Sequence, residues 1–449
     1  MSLQAILRPT HAVAQADAVA FQSWLHARQF PSDCSRTVGF YTRQDYFHVL
    51  GLGAQMVSLK YNLLHALLQN RVYHFPTSHY VNPIRCPSRS FDCYFEKPSN
   101  CSRPSKAKQA TARSEHRKAE EVKIHWCFDL PRRKLTRIAG LQAVHASEWY
   151  HAQLAAFLYR PNAAMRAMET EVLGKLAPHD DGGLAGNRSR SNGTCVAMHV
   201  RRTDKHTEDH RTRERSFKEF GQVLRSWAYW KFNRPAGQLN VLLGSEDKET
   251  FSAMPPLLLP SSASWIPESY FVMDMTPGKQ FKSIKQGNSR LAQLYGVIED
   301  EVDKLRKRRP PPDAAELERR GLLKDEGMVL ILQILLMADC EAFIGSYSSN
   351  VAILVHDLMS ARRLERQEEL HLLDINGRVY CGCGASFCMQ LERKASREPK
   401  KHVKQLVEAF PRSYGNPLPD RLALGPAVGE AEPPRKSKRL GKGKGGGRV

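Results

Sequence analysis

Hydrophobic and polar positions alternate along this chain in two distinct rhythms. Apolar residues at 57, 59, 63, 64, 67 and 68 recur at helical spacing and predict a helix over Val57–Leu68, entered through the glycine-rich turn Gly51-Leu-Gly-Ala-Gln55. Arg71-Val-Tyr-His-Phe-Pro reads as a strand closed by proline. Trp149, Leu154, Phe157, Leu158 and Met168 predict a helical pair within 141–176. Beyond residue 194 short apolar runs alternate with helical patterns. Strands are predicted at Cys195–Val200, Leu239–Gly244, Ser269–Met273 and Ala342–Gly345. Helices are predicted at Phe217–Trp230, at Asp247–Met254 (ending before a proline pair), at Gly327–Asp339 and at Asn350–Met359. This alternation implies a parallel sheet with helices on both faces.

Stretches without periodicity divide the chain. Residues 1–35 read as an N-terminal extension, 36–177 as an N-terminal α/β domain with a basic insert at 102–122, and 178–194 as a linker loop. Residues 195–390 read as a Rossmann-like domain with an insert at 277–326, and 391–449 as a polar, basic, low-complexity tail. At 449 residues with 41% hydrophobic and 25% charged residues, the composition excludes wholesale disorder and a small disulfide-stapled scaffold.

The net charge of +21 suggests a nucleic-acid binder until its distribution is read. Residues 102–137 carry 11 Lys/Arg against 4 Asp/Glu, and 433–449 carry 7 against none. The charge thus belongs mainly to an insert and the end of the tail, and residues 433–449 have no aromatic residue for base stacking. Ten cysteines include the groups 86/93/101 and 381/383/388, whose spacings leave disulfides, buried thiols and a metal site open. Sequons at Asn100, Asn187 and Asn192 favour, with the cysteines, a secretory lumen. No segment fits a signal peptide or membrane anchor; the run Met328–Ala338, interrupted by Gln333, reads as a buried core helix.

Two signals carry chemistry. His199-Val-Arg-Arg-Thr-Asp-Lys lies at the carboxyl end of a predicted strand, where ligands bind in open α/β sheets. Arg201 and Arg202 match a phosphate geometrically; a lattice with Asp204 and Glu208 is the alternative. Gly345-Ser-Tyr-Ser-Ser-Asn also follows a strand and leads into a helix, an anion site or a plain N-cap by Ser349 or Asn350. Together they suggest one pyrophosphate held between arginines and a helix terminus. The chain has no Walker A motif, no G-x-G-x-x-G at a strand-to-helix turn and no D-x-D triplet.

His199–Lys205 with Thr207-Glu208, Val241-Leu-Leu-Gly-Ser-Glu-Asp, and Ala338-Asp339 with Phe343–Asn350 resemble three motifs of the α-1,6-fucosyltransferases. That family comprises the N-glycan core-fucosylating enzymes and the rhizobial nodulation-factor enzymes. The glycine-rich turn at Gly51 is similar to the family's N-terminal one. The resemblance implies a GT-B-like fold of two α/β domains, with GDP-fucose as donor and a glycan or glycoprotein as acceptor. It also implies inversion at the anomeric carbon without a metal or other cofactor, in the Golgi or secretory lumen. Arg201 would contact the β-phosphate and Arg202 would brace the site. His199, Ser348, Ser349 and Asn350 would line the nucleotide. Glu208 would be the general base with Lys205 beside it, and Asp247 an acid needed for activity. Two alternatives remain: a fucosyltransferase forming another linkage to a protein or polysaccharide, and an inactive transferase scaffold whose basic tail binds nucleic acid.

Overall fold

The computed structural model describes residues 9–34, 51–78, 80–82, 85–102, 130–176, 194–201, 215–232, 239–245, 247, 249–259, 262–264, 325–376, 378, 380 and 382. Five strands among them form one all-parallel sheet: β1 (Thr194–Val200), β2 (Leu239–Ser245), β3 (Ser262–Ser264), β4 (Ala342–Gly345) and β5 (His371–Asp374). Their order is β3-β2-β1-β4-β5. The chain winds outward from β1 through β2 to β3 on one side and from β4 to β5 on the other. The switch point therefore falls between β1 and β4, where a doubly wound sheet opens a ligand crevice at its carboxyl edge. The protein is α/β with a parallel, Rossmann-like sheet.

β1 is buried at every position, as a central parallel strand must be. Its even residues, Val196, Met198 and Val200, pack on α6 (Phe217–Phe232) and α7 (Thr250–Leu258). Its odd residues Cys195 and Ala197 face the opposite core. There α8 (Glu326–Asp339) and α9 (Asn350–Arg366) meet helices from the first half of the chain. These are α1 (His11–Gln29), α2 (Leu52–Leu68), α3 (Arg132–Ala139), α4 (Ser147–Leu158) and α5 (Ala163–Leu176).

Several expectations require correction. Within the stretch expected as an extension, α1 belongs to the core. α1 presents Asp17, Phe21, Leu25 and Gln29 at i, i+4 spacing to the core, so three turns are buried. The Asp17 carboxylate accepts the Gln142 and Ala143 N–H groups at 2.8 and 3.0 Å and pairs with His145 at 2.7 Å. The stretch 71–75 is not among the named strands: Tyr73 stands there as a single bridge residue, and its N–H donates to Gln29 Oε1 at 2.8 Å. Among the described residues before 194 there are helices, one 3-10 turn (Phe91–Cys93) and isolated bridges, but no strand. The expected second α/β sheet therefore has no counterpart there, and the first-half helices share one apolar core with α8 and α9. α7 runs through Pro255 and Pro256 rather than stopping before them. The prolines sit in its second half, and the stripe Phe251, Met254, Leu258 carries it along the core. α9 extends past Met359 to Arg366.

The six described cysteines pair as Cys34–Cys101, Cys86–Cys93 and Cys195–Cys340. The last joins the start of β1 to the residue after α8, at the edge of the sheet opposite the crevice. Cys127, Cys381, Cys383 and Cys388 lie outside the described residues, as do the strand expected at 269–273, nearly all of both inserts and of the 178–194 loop, and the tail. No helix among the described residues is long and apolar enough to cross a membrane.

Candidate functional site

His199 is the sixth residue of β1, and Arg201 follows the strand's last residue at the carboxyl edge. The ring of His199 is buried, whereas Arg201 is half-buried. In the neighbouring strand the register pairs His199 with Gly244 and Val200 with Ser245. The Ser245 hydroxyl then ties the two strand ends together, donating to the Val200 carbonyl at 2.7 Å and accepting the Asp247 N–H at 3.0 Å and the Thr250 hydroxyl at 2.9 Å. Asp247 is thereby fixed beside Arg201's strand. Its carboxylate accepts the Glu249 N–H at 3.0 Å, a turn-capping role.

The third segment, Ser346–Ser349, links β4 to α9. Ser348 and Ser349 are buried, and Asn350 is the first residue of the helix. Ser349 occupies the N-cap position, yet its side chain makes no cap hydrogen bond. Of the two alternatives the sequence left open, a side-chain cap by Ser349 is thus not realised. The turn itself is held rigidly. Ser346 Oγ lies 2.8 Å from Ser348 Oγ and accepts from Asn376 Nδ2 at 2.9 Å. Asp374, at the end of β5, accepts the Tyr347 N–H with one oxygen and the Asn376 and Arg378 N–H groups with the other, each at 2.8 Å. Burial pushes the Asp374 carboxyl up to about 6 against the pull of these donors.

The glycine-rich turn arrives at the same place from the first half of the chain. A methyl on Gly53 would sit 3.3 Å from Asn350 Cβ and 3.5 Å from the Val351 nitrogen. Gly51, by contrast, has open space around it. Two turns further along both helices, Lys60 on α2 forms a buried ion pair with Asp357 on α9. The two helices therefore run side by side in the same direction, and their N-termini converge on one point. Positive ends of two helix dipoles, with Arg201 at the neighbouring strand, make that point favourable to anions.

Sequence reasoning missed the buried polar cluster behind this point. Lys60 also approaches the Gly382 carbonyl at 3.4 Å, and the Tyr380 hydroxyl donates to Asp357. Burial pushes the Lys60 ammonium down and the Asp357 carboxyl up, while each draws the other back toward its charged form. Beside them His356 lies between the Tyr347 hydroxyl, 2.7 Å from Nδ1, and Glu148 of α4, 2.8 Å from Nε2, and stacks on Tyr380 at 3.7 Å. The Ser346–Ser349 turn is thus anchored to α4 through Tyr347 and His356. The signal was present but ambiguous: these charges interrupt otherwise apolar helices, as Gln333 interrupts α8. The Gln333 side chain packs against Gly244, where a methyl would lie 2.5 Å from Nε2.

Of the expected site residues, the structure gathers His199, Arg201, Asp247, Ser348, Ser349 and Asn350 at one edge of the sheet. Arg202, Lys205 and Glu208 lie outside the described residues. Among the described residues no group of three or more His, Cys, Asp or Glu side chains is placed to hold a metal. No protein-family model matches the chain, and no curated protein matches it.

Proposed function

We propose that this protein is a glycosyltransferase that takes fucose from GDP-fucose, in the manner of the α-1,6-fucosyltransferases its motifs resemble. The observation that carries the reading is the convergence at the switch point. The glycine turn, the end of β1 and the Ser346–Asn350 turn, three segments far apart in sequence, meet with two helix N-termini and an arginine. A nucleoside diphosphate is the ligand such an arrangement suits, being doubly anionic and needing donors on both phosphates.

In this reading Arg201 and the α9 N-terminus share the charge of the departing diphosphate, and His199, Ser348, Ser349 and Asn350 line the nucleotide. Arg202 braces the site, and Asp247 orders the β2–α7 turn beside it. Glu208, with Lys205 near it, deprotonates the acceptor hydroxyl, and the sugar inverts in a single displacement that uses no metal. The acceptor is a glycan, free or on a glycoprotein, and the helices α1, α2 and α4 supply the lobe that a GT-B-like arrangement places opposite the nucleotide domain. Residence in the secretory lumen accompanies the reading.

Calorimetric titration with GDP, GDP-fucose and other nucleotides in the presence of EDTA tests it. Saturable GDP binding is expected, and Arg201→Ala should weaken it and cost about 3 kcal/mol of transition-state stabilisation in transfer assays. Absence of binding to any guanine nucleotide by the wild-type chain, or wild-type turnover in Arg201→Ala, refutes the assignment.

A further inference from the structure

We propose that Asn100 carries an N-linked glycan, added before the Cys34–Cys101 disulfide closes. Asn100-Cys101-Ser102 is an acceptor sequon with no proline at its middle position. Asn100 and Ser102 are both exposed, just beyond the buried Pro98-Ser99 pair. The Asn100 side-chain nitrogen donates to the Pro31 carbonyl at 3.4 Å. A glycosylated amide keeps one N–H, so the modified residue retains the means for that contact while the sugar extends into solvent. The disulfides Cys34–Cys101 and Cys86–Cys93 belong to the same oxidising compartment in which such glycans are added.

The chemistry needs a lipid-diphosphate-linked oligosaccharide and its transferase. A bond forms from Asn100 Nδ2 to the anomeric carbon, and the bond from that carbon to the diphosphate oxygen breaks. The lipid diphosphate leaves with the electron pair, and the amide proton passes to a carboxylate of the transferase. That enzyme must hold the sequon extended, with amide and hydroxyl presented together. In the folded chain the segment cannot comply. Asn100 and Cys101 are bent, the Cys101 N–H is held by Ser99 Oγ at 3.0 Å, and its sulfur is bonded to Cys34. Cys34 precedes Cys101 by 67 residues, at the exit of α1, so the sequon is open until the two thiols are oxidised together and pinned afterwards. This inference is independent of the donor-sugar reading.

The test begins with the native full-length protein. Peptide N-glycosidase treatment in ¹⁸O-water followed by peptide mass spectrometry should convert position 100 to labelled aspartate and raise the protein's gel mobility. An unlabelled Asn100, with or without label at Asn187 or Asn192, overturns the proposal. The ordering is tested by translating the full chain behind an added cleavable secretory signal with microsomes, and by presenting finished chains to detergent-opened microsomes. Modification at Asn100 should be retained in dithiothreitol and lost when the oxidised, folded chain is presented after synthesis. The Cys34→Ser chain should be modified in either arm. Equal modification of the oxidised wild-type chain in both arms overturns the ordering.

Discussion

Replacing Lys60 by methionine removes the ammonium from a pair whose two side chains are fully buried. Asp357 keeps the Tyr380 hydroxyl as a donor but loses its ion-pair partner. Breaking one side of a buried ion pair costs about 3 to 5 kcal/mol, because the surviving charge stays desolvated. Replacing both partners, as in Lys60→Met with Asp357→Leu, should be close to neutral or stabilising by about 1 to 4 kcal/mol. The single-variant penalty should also depend on pH. Burial already raises the Asp357 carboxyl, and losing Lys60 raises it further, so Lys60→Met suffers most at neutral pH. Its penalty shrinks as the pH falls and the acid becomes protonated in both folded and unfolded states. Urea unfolding followed by circular dichroism, in a double-mutant cycle at pH 7 and pH 5, measures all of this. A single-variant cost below about 1 kcal/mol, the range of exposed pairs, would refute the claim that this pair locks α2 onto α9.

Gly53→Ala should be tolerated, since Asn350 need give only a few tenths of an ångström, whereas Gly53→Leu forces the two helix N-termini apart. The latter should cost about 1 to 3 kcal/mol by overpacking and weaken nucleotide binding in the calorimeter; equal affinity of the two variants rejects the convergence. Tyr347→Phe leaves His356 Nδ1 without its hydroxyl partner, at about 1 to 3 kcal/mol in urea unfolding, and should reduce GDP affinity as the Ser346–Ser349 turn relaxes. Unchanged affinity confines Tyr347 to a packing role. Burial pushes the Asp374 carboxyl up to about 6, above the ordinary aspartate value of about 3.9. Its contribution to stability is therefore fully present below pH 4 and is lost as pH rises through 6, about 3 kcal/mol in all. The pH dependence of the urea midpoint should flatten over that window in Asp374→Asn, and an identical slope in both proteins contradicts the burial of this carboxyl.

The second half of the chain was legible in the sequence because its strands are short apolar runs bounded by turn residues, each followed by a helix. That pattern places β1, β2 and β4 and the helices after them within a few residues. β3 escaped because Ser262-Ala-Ser is three residues of small polar character at the sheet edge, with nothing apolar to register. The first half misled for a different reason. Val72, Tyr73 and Phe75 are buried, which reads as a strand, but the stretch carries a single bridge at Tyr73, whose N–H goes to the Gln29 side chain. α1 was hidden because one of its core-facing positions is Asp17, whose partners near residue 143 cannot be seen locally. At the site, the strand-end arginine and the serine turn could be read from spacing. The alignment of α2 with α9 could not, since it depends on Gly53 and Lys60 meeting residues about three hundred positions away.

That last distance has a consequence in time. Lys60 pairs with a residue 297 positions later, and Glu148 with one 208 positions later. A ribosome adding about 5 to 20 residues per second needs roughly 15 to 60 s to travel from the first lysine to its aspartate. Throughout that interval the first-half helices exist without the α9 face that covers them, holding a cation and a carboxylate meant for a dry interior. The folded state of the early chain is thus decided by a late one, and a nascent protein stalled before α9 should be a client for chaperones rather than a finished domain.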